Sequence, residues 1–467
     1  MATNEKTAGE LLQEQLLMHP ENGGITVDDA QLEQAFRFCE DYKAFIDTAK
    51  TEREAVELIL EKAEACGYLP YDRKVAYQPG DKVYLNNRGK AVILCAFGTL
   101  PLTEGVKIMA SHIDNPRLDM KPNPLYEEAQ LGYLKTHYYG GIKKYQWSAI
   151  PLALHGVVVK KNCETVKVIL GEDETEPVFC VTDLLPHLAR EQAKRTLNEG
   201  LRGEELNVLI GCHPFRDDKA SEKVKLNLIR LLNEKYGIVE ADFLSADLCA
   251  VPAFKARDLG LDRAMIGAYG HDDRVCAYTS LMAMLEQESP RCTTLAVFAD
   301  KEETGSEGNT GLSSHFLQDF IKDIAFSQGL AGRTVMAAST CLSADVNAAF
   351  DPTFGDVYER RNTCYLNYGV VVTKYTGSGG KYGTSEATAE FMAKVRSMLD
   401  DGGVLWQTGE LGKVDAGGGG TVAKYVADLN VDVVDVGVPV LSMHAPFEVV
   451  SKLDVYMTYR AFCEYVK

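Results

Sequence analysis

Apolar residues at Leu32, Ala35, Phe36, Cys39, Tyr42 and Phe45 recur every three or four positions, the spacing of one helical face. They predict a helical opening that extends to about residue 67. The period then shortens. Residues 83–97 carry two apolar runs around Asn86-Asn87-Arg88-Gly89, which predicts a hairpin. Residues 105–112 alternate and predict a strand that runs into His112. From residue 117 to about 265 the texture changes to proline, tyrosine and acidic clusters. Short β-type runs appear there at 154–159 and 166–170, with one amphipathic helix at 223–235. Alternation of strand and helix resumes near Met265. Val275, Tyr278, Leu281, Met282 and Leu285 mark a helix after Asp273, and the apolar run 293–298 reads as a buried strand. A helix is expected at 316–325, a strand at 334–338 continuing towards Asp345, a further strand at 364–373, and helices at 386–399 and 453–465.

Repetition of this kind predicts an α/β fold, a mixed and largely parallel sheet covered by helices. The block at 117–262 interrupts it and reads as an inserted β-rich domain. The chain then divides into a split domain, 1–116 with 263–467, and the insert, 117–262.

Composition narrows the function classes. The chain has 467 residues, 46% of them hydrophobic and 25% charged, an ordinary composition for a chain with a buried core. A formal net charge of −18 disfavours nucleic acid and anionic membranes as partners. There is no apolar run of about 18 residues to span a membrane, and the polar start Met1-Ala-Thr-Asn-Glu-Lys6 lacks an apolar signal core. The twelve cysteines are scattered without a C-x-x-C pair. They are expected to be free thiols in a reducing cytoplasm, not a disulfide framework or a cysteine-ligated zinc site.

The chemistry lies at the ends of the apolar runs. His112 closes one run, with Asp114 two residues on; Asp272 stands in Gly270-His-Asp-Asp-Arg274; Glu302-Glu303 follows 293–298; Asp345 stands in Ser343-Ala-Asp-Val-Asn347; His444 ends Val440-Leu-Ser-Met-His444. Two carboxylates at the end of a buried strand are unfavourable unless a cation waits there. Beyond the carboxyl ends of strands is where open α/β sheets bind ligands. Five of these residues, His112, Asp272, Glu303, Asp345 and His444, satisfy two metal ions with three protein ligands each if Asp272 bridges. Two such ions roughly 3.5–4 Å apart can activate a water and polarise a carbonyl. Glu302, adjacent to a ligand but expected to face the other way on extended chain, suits a general base. Asp114 suits acceptance of the second imidazole N–H of His112. The glycine run 417–420 reads as a tight turn beside the cleft; without a following Gly-Lys-Ser/Thr it is not a nucleotide loop.

Taken together, His112-Ile-Asp114, His271-Asp-Asp-Arg274, Asp300-Lys-Glu-Glu-Thr-Gly-Ser306, Ser343-Ala-Asp345 and Leu441-Ser-Met-His444 resemble the M18 family of metalloaminopeptidases. Order and approximate spacing match across nearly the whole chain. The run Tyr138-Tyr-Gly-Gly-Ile-Lys-Lys-Tyr-Gln-Trp147, with Pro151-Leu-Ala-Leu-His-Gly156, resembles the bacterial branch. The resemblance implies a zinc-peptidase catalytic domain split by an inserted dimerisation domain. It implies two zinc ions per subunit on the five ligands, replaceable by cobalt or manganese, with Glu302 as base. It also implies peptide substrates and a homododecamer built from dimers. Lys374, Lys381 and Tyr382 resemble the family's basic, substrate-side segment, so the expected activity is removal of an N-terminal residue, with Asp or Glu preferred. The alternatives are a broad or neutral, Leu-type preference on the same site, and a catalytically silent assembly protein. Two positions depart from the aspartyl branch. Tyr145 stands where that branch carries a histidine directed at a neighbouring subunit, and Asp273 stands where it often has Asn.

Overall fold

The computed structural model describes residues 6–467; residues 1–5 of the predicted helical opening lie outside the described residues. A nine-stranded sheet forms the centre. Its strands run in the order Leu69–Pro70, Lys82–Asn87, Ala91–Ala96, Thr294–Ala299, Lys107–His112, Thr340–Ser343, Asp432–Gly437, Val370–Thr373 and Trp406–Thr408. The four strands from Thr294–Ala299 to Asp432–Gly437 are mutually parallel, and antiparallel pairs flank them on both sides.

Alternation along each strand sorts side chains to the two faces. Val92, Leu94, Ala96, Met109, Ala296, Phe298 and Val434 face one helical layer, which includes Asp29–Thr48, Glu52–Ala65, His271–Leu285 and Lys452–Val466. Ile93, Cys95, Ile108, Ala110, Leu295, Val297 and Val433 face the other, formed by Phe316–Ser327, Gly332–Ala338 and Ala423–Ala427. Both faces are covered, so Thr294–Ala299 is buried at every position and reads as a continuous apolar run. Helix Asp29–Thr48 shows how the outer elements are specified. Asp28 accepts the Gln31 N–H as an N-cap, and Ala35, Cys39, Tyr42, Phe45 and Ile46 bury one face.

A seven-stranded antiparallel sheet draws its strands from residues 117–252, with helix Lys223–Tyr236 packed on it through Val224 and Leu228. A third, five-stranded sheet orders Arg257–Leu259, Met265–Ala268, Glu448–Ser451, Pro439–Leu441 and Asn347–Ala348.

Three local expectations are corrected. Residues 334–338, expected as a strand, lie in helix Gly332–Ala338, and the strand begins at Thr340. Val335, Met336 and Ser339 are buried while Ala337 and Ala338 are exposed, a helical spacing in a run too short for period alone to classify. Of the expected strand 364–373 only Val370–Thr373 forms, because Asn367 (φ 72°) and Gly369 (φ 87°) turn the chain through the left-handed region. Glu302 and Glu303 are not on extended chain: Lys301 (φ 72°) turns them into the 3-10 turn Glu302–Thr304. No helix among the described residues is long and apolar enough to cross a membrane.

Candidate metal centre

Three adjacent parallel strands, Thr294–Ala299, Lys107–His112 and Thr340–Ser343, deliver Glu302-Glu303, His112 and Asp345 at their carboxyl ends, with Ala299 in register with His112. Asp272 and His444 do not come from this sheet. Asp272 follows strand Met265–Ala268 and His444 follows Pro439–Leu441, both in the five-stranded sheet. The two sheets together bring all five residues and Glu302 into one cluster.

Distances within the cluster are short. His112 Nε2 lies 3.1 Å from Asp272 Oδ1, 3.9 Å from Glu302 Oε2 and 4.0 Å from Asp345 Oδ1. His444 Nε2 lies 3.1 Å from Asp272 Oδ2 and 3.7 Å from Glu303 Oε2. Each imidazole turns its other nitrogen to a main-chain carbonyl. His112 Nδ1 is 3.0 Å from the Asp114 carbonyl oxygen, and His444 Nδ1 is 2.9 Å from that of Gly141. A carbonyl only accepts, so both Nδ1 atoms carry hydrogen and, in a neutral ring, both Nε2 lone pairs face carboxylate oxygens. Two acceptors at 3.1 Å require a positive charge between them, either a proton or a metal ion. Two triplets offer ligand atoms within 4.8 Å of one another: His112, Asp272 and Glu303, and His112, Asp273 and Asp345.

The crowding of buried carboxyls fits the same demand for a cation. Burial pushes Glu303 and Asp345 well above the usual carboxylate range, and neighbouring carboxylates, Asp272 above all for Glu303 and Asp273 for Asp345, add to it. Burial opposes charge on Asp272 as well, but hydrogen bonds from His112 and His444 outweigh it and hold that carboxyl low. Burial likewise disfavours a charged His444, yet the Asp272 hydrogen bond and the Glu303 charge push the imidazole up to about 11. Glu302 is pushed up to about 7, chiefly by burial. Glu303 Oε1 is buried without a hydrogen-bond partner.

A protein-family model for the aminopeptidase I zinc metalloproteases (M18) matches residues 45–466. The chain belongs to the M18 family of aminopeptidases. It is therefore a metallo-exopeptidase, a hydrolase. A probable M18 family aminopeptidase 1 of Clostridium acetobutylicum is 49% identical over 458 residues, covering 96% of this chain and 98% of that one. The crystal structure of the M18 aminopeptidase of Thermotoga maritima is 42% identical and superposes with a TM-score of 0.92, covering 96% and 99% of the two chains. The structure of the Saccharomyces cerevisiae mApe1 dodecamer shares the fold, with 20% identity, a TM-score of 0.74 and coverage of 93% and 96%.

Around this M18 cluster the structure places Asp114 and, beside it, residues that sequence reasoning gave no role. Asp114 offers His112 Nδ1 two acceptors, its carbonyl oxygen at 3.0 Å and its carboxylate Oδ1 at 3.4 Å. The same carboxylate accepts the backbone N–H of Glu302 (3.1 Å) and of Glu303 (3.2 Å) and the hydroxyl of Tyr139 (2.7 Å). Glu448 does the same for the other sheet, accepting the N–H of His444 at 2.7 Å and of Asp272 at 3.1 Å. His444 needs that anchor, since it sits at φ 64° in the left-handed region. Asp273 is fully buried beside the cluster, with Oδ2 accepting the His112 N–H and Oδ1 unpartnered; burial pushes its carboxyl up. The signal for Glu448 was an acid opening the apolar strand Glu448–Ser451. For Tyr139 there was none beyond the aromatic run.

Lys374, Lys381 and Tyr382 are not gathered into the cluster. Both lysines approach Glu386 Oε1, at 3.8 and 2.9 Å, Lys381 lies 3.7 Å above the Tyr375 ring, and Tyr382 is exposed. Tyr145 is half-exposed in the turn Lys144–Trp147. The glycine run at 417–420 packs on the Gly377 loop, with the Gly377 N–H donating to the Gly419 carbonyl.

Proposed function

We propose that the cluster holds two zinc ions, one on His112, Asp272 and Asp345 and the other on Asp272, Glu303 and His444, and that Glu302 is the general base of peptide hydrolysis. The observation that carries this reading is the pair of imidazoles with Nδ1 tied to backbone carbonyls and Nε2 aimed at the two oxygens of one carboxylate, Asp272. The unpartnered Glu303 Oε1 and the crowding of carboxyls fit the same pair. Imidazole and carboxylate donors suit zinc, and also cobalt or manganese.

Bound there, the pair of ions supplies Lewis acidity towards a scissile carbonyl and a water. The chain supplies the proton handling. Glu302 stands partly buried at the edge of the cluster, with Oε2 3.9 Å from His112 Nε2, and a carboxylate so placed suits taking up and returning a proton there. It takes the proton of the attacking water and delivers it to the departing amine, releasing one N-terminal residue. Asp114 fixes the turn that presents it. The test is Glu302→Gln: zinc content should stay at the wild-type level while kcat falls by about 10²–10⁴. An active variant sinks the role, and a wild-type protein that takes up no zinc sinks the ligand assignment.

The side-chain preference has two readings, which differ in the part given to the lysines. Lys374, Lys381 and Tyr382 support acceptance of N-terminal Asp or Glu. Glu386 supports the second reading, a broad or Leu-type preference, because its carboxylate already pairs with both lysines. A hydrolysis screen over all N-terminal residues with zinc, cobalt or manganese separates the two.

Residues 117–262 are read as an inserted dimerisation domain within the split catalytic domain 1–116 and 263–467. Exposed Leu184, Leu185, Leu188 and Leu197 on this segment fit self-association, and a homododecamer of dimers in the cytoplasm is the proposed state. Light scattering coupled to size exclusion tests it; a monomer at micromolar concentration overturns it.

A further inference from the structure

Between strand Leu131–Tyr139 and the turn Lys144–Trp147, the segment Tyr139-Gly140-Gly141 meets the metal cluster at three successive residues. The Tyr139 hydroxyl donates to Asp114 Oδ2 at 2.7 Å. Gly140 (φ 76°) lies against Glu303: a Cβ there would stand 3.0 Å from Glu303 Oε2 and 3.3 Å from its Cβ. The Gly141 carbonyl accepts from His444 Nδ1 at 2.9 Å. The segment is itself braced. The Arg117 guanidinium lies 4.3 Å from the Tyr139 ring centroid and pairs with Glu52 at 2.8 Å and with Asp119 at 2.7 Å. Lys301 approaches the same ring at 5.5 Å.

We propose that Tyr139, Gly140 and Gly141 are positioning residues for the hydrolysis, so that the segment 117–262 completes the metal centre of its own chain in addition to any role in assembly. This rests on the ligand set proposed above. The Asp114 carboxylate faces the Glu302 and Glu303 amides, the Tyr139 hydroxyl and, at 3.4 Å, His112 Nδ1. Only the hydroxyl comes from outside the nine-stranded sheet and its loops. It holds the carboxylate in the rotamer that orients the Glu302–Thr304 turn, and through that turn the base. Gly140 allows the backbone to pass Glu303 where an L side chain would be strained by its φ and would press on the ligand oxygen. Gly141 sets the His444 tautomer and so leaves the Nε2 lone pair facing Asp272 Oδ2 and Glu303 Oε2, where it would serve as a ligand. The three contacts reach the base, one carboxylate ligand and one imidazole ligand.

The test uses the full chain in its assembled state. Tyr139→Phe removes a hydroxyl and keeps the ring that Arg117 stacks on. The expected result is a fall in kcat of roughly 10–100-fold with KM, zinc content and melting temperature unchanged. Gly140→Ala is expected to weaken one of two zinc-binding events by roughly 10–100-fold, read by titration against a chromophoric chelator. Tyr138→Phe, on the neighbouring ring that faces Lys144, serves as the control and should match wild type. Wild-type kcat in Tyr139→Phe overturns the proposal, as does a loss of kcat that appears only together with a lower melting temperature or a broken assembly. Wild-type zinc binding by Gly140→Ala removes Gly140 from it. A wild-type protein that binds fewer than two zinc ions per chain contradicts the ligand assignment instead, and the Tyr139→Phe kcat still decides the role of the segment.

Discussion

Asp114 holds Glu302 by its backbone: Oδ1 accepts the Glu302 N–H at 3.1 Å, while Oδ2 accepts the next amide, that of Glu303, at 3.2 Å. One buried carboxylate thus sets the direction of the proposed base and of a proposed ligand at once. Glu448 repeats the device for His444 and Asp272. In each case one carboxyl gathers two main-chain donors, and at Asp114 the acceptor is charged, which makes a stronger bond than a neutral acceptor does. Burial raises the Asp114 carboxyl, but the His112 hydrogen bond and charge outweigh it and keep it ionised.

Asp114→Asn replaces one accepting oxygen with an amide nitrogen that can only donate, opposite the Glu302 and Glu303 amides and the Tyr139 hydroxyl. The turn should lose its anchor. The expected outcome is a fall in kcat/KM of about 10–100-fold with the fold retained by circular dichroism. A variant with wild-type kinetics shows that the turn is held by the rest of the chain.

Glu448→Gln acts on the opposite side. Burial pushes the Glu448 carboxyl up to about 8, with the Asp272 charge adding to it, yet its two oxygens accept two N–H groups. An amide nitrogen in place of either oxygen leaves the Asp272 or the His444 N–H without its acceptor. Asp272 and His444 are both proposed ligands, so zinc affinity should drop by about 10–100-fold, measured by chelator competition. Unchanged zinc affinity rules the anchoring role out.

What the sequence revealed and what it hid have physical reasons. The alternation Val92, Leu94, Ala96 against Ile93, Cys95 is complete, and a strand buried on both faces advertises itself by continuous apolarity. Polar residues at the ends of such runs stand out for the same reason, and His112, Glu303 and Asp345 were visible that way. The source of Asp272 and His444 was not. Their strands, Met265–Ala268 and Pro439–Leu441, are four and three residues long and carry no sign of belonging to a separate sheet. The turn at Glu302–Thr304 was hidden because a lysine, not a glycine, takes the left-handed position before it. Tyr139 and Glu448 act through hydrogen bonds across elements, which no spacing rule records.

Gly437 offers a test of packing behind the proposed ligand Asp345. It ends strand Asp432–Gly437 against the Asp345 main chain, and a Cβ there would stand 1.8 Å from the Asp345 carbonyl oxygen and 2.5 Å from its carbon. A backbone cannot give way as a side-chain tip does. Gly437→Ala should cost about 1–3 kcal/mol of stability and weaken zinc binding by displacing Asp345. Chemical denaturation of the metal-free protein, followed by zinc titration, separates the two effects; no change in either shows that the strand end shifts freely.

The junction between residues 117–262 and the remainder predicts a pH dependence of stability away from the metal cluster. His155, on strand Leu152–Val159, places Nδ1 at 2.9 Å from Glu54 on helix Glu52–Ala65 and Nε2 at 3.0 Å from Glu172, which also pairs with Lys255 and approaches Lys50. Burial lowers the pKa of His155, but the hydrogen bonds to Glu172 and Glu54 outweigh it and raise it above 6.5. Burial raises Glu172, yet His155 and the lysines hold it down at about 2. Because the folded state binds the His155 proton more tightly than the unfolded chain, that contribution is complete below pH 6.5 and is lost as pH climbs through the raised value. The Glu172 contribution has the opposite sign: it is present above 4.5 and is lost as pH falls towards 2. Stability from this junction should therefore be greatest between those limits and decline on the alkaline side. His155→Gln keeps hydrogen-bonding capacity without a titrating proton, so it should lower stability at pH 6 and flatten the alkaline decline. Melting curves from about pH 5 to pH 9 on zinc-saturated wild type and variant provide the measurement. If the two curves fall in parallel above pH 7, the His155 junction is not the source of the alkaline loss.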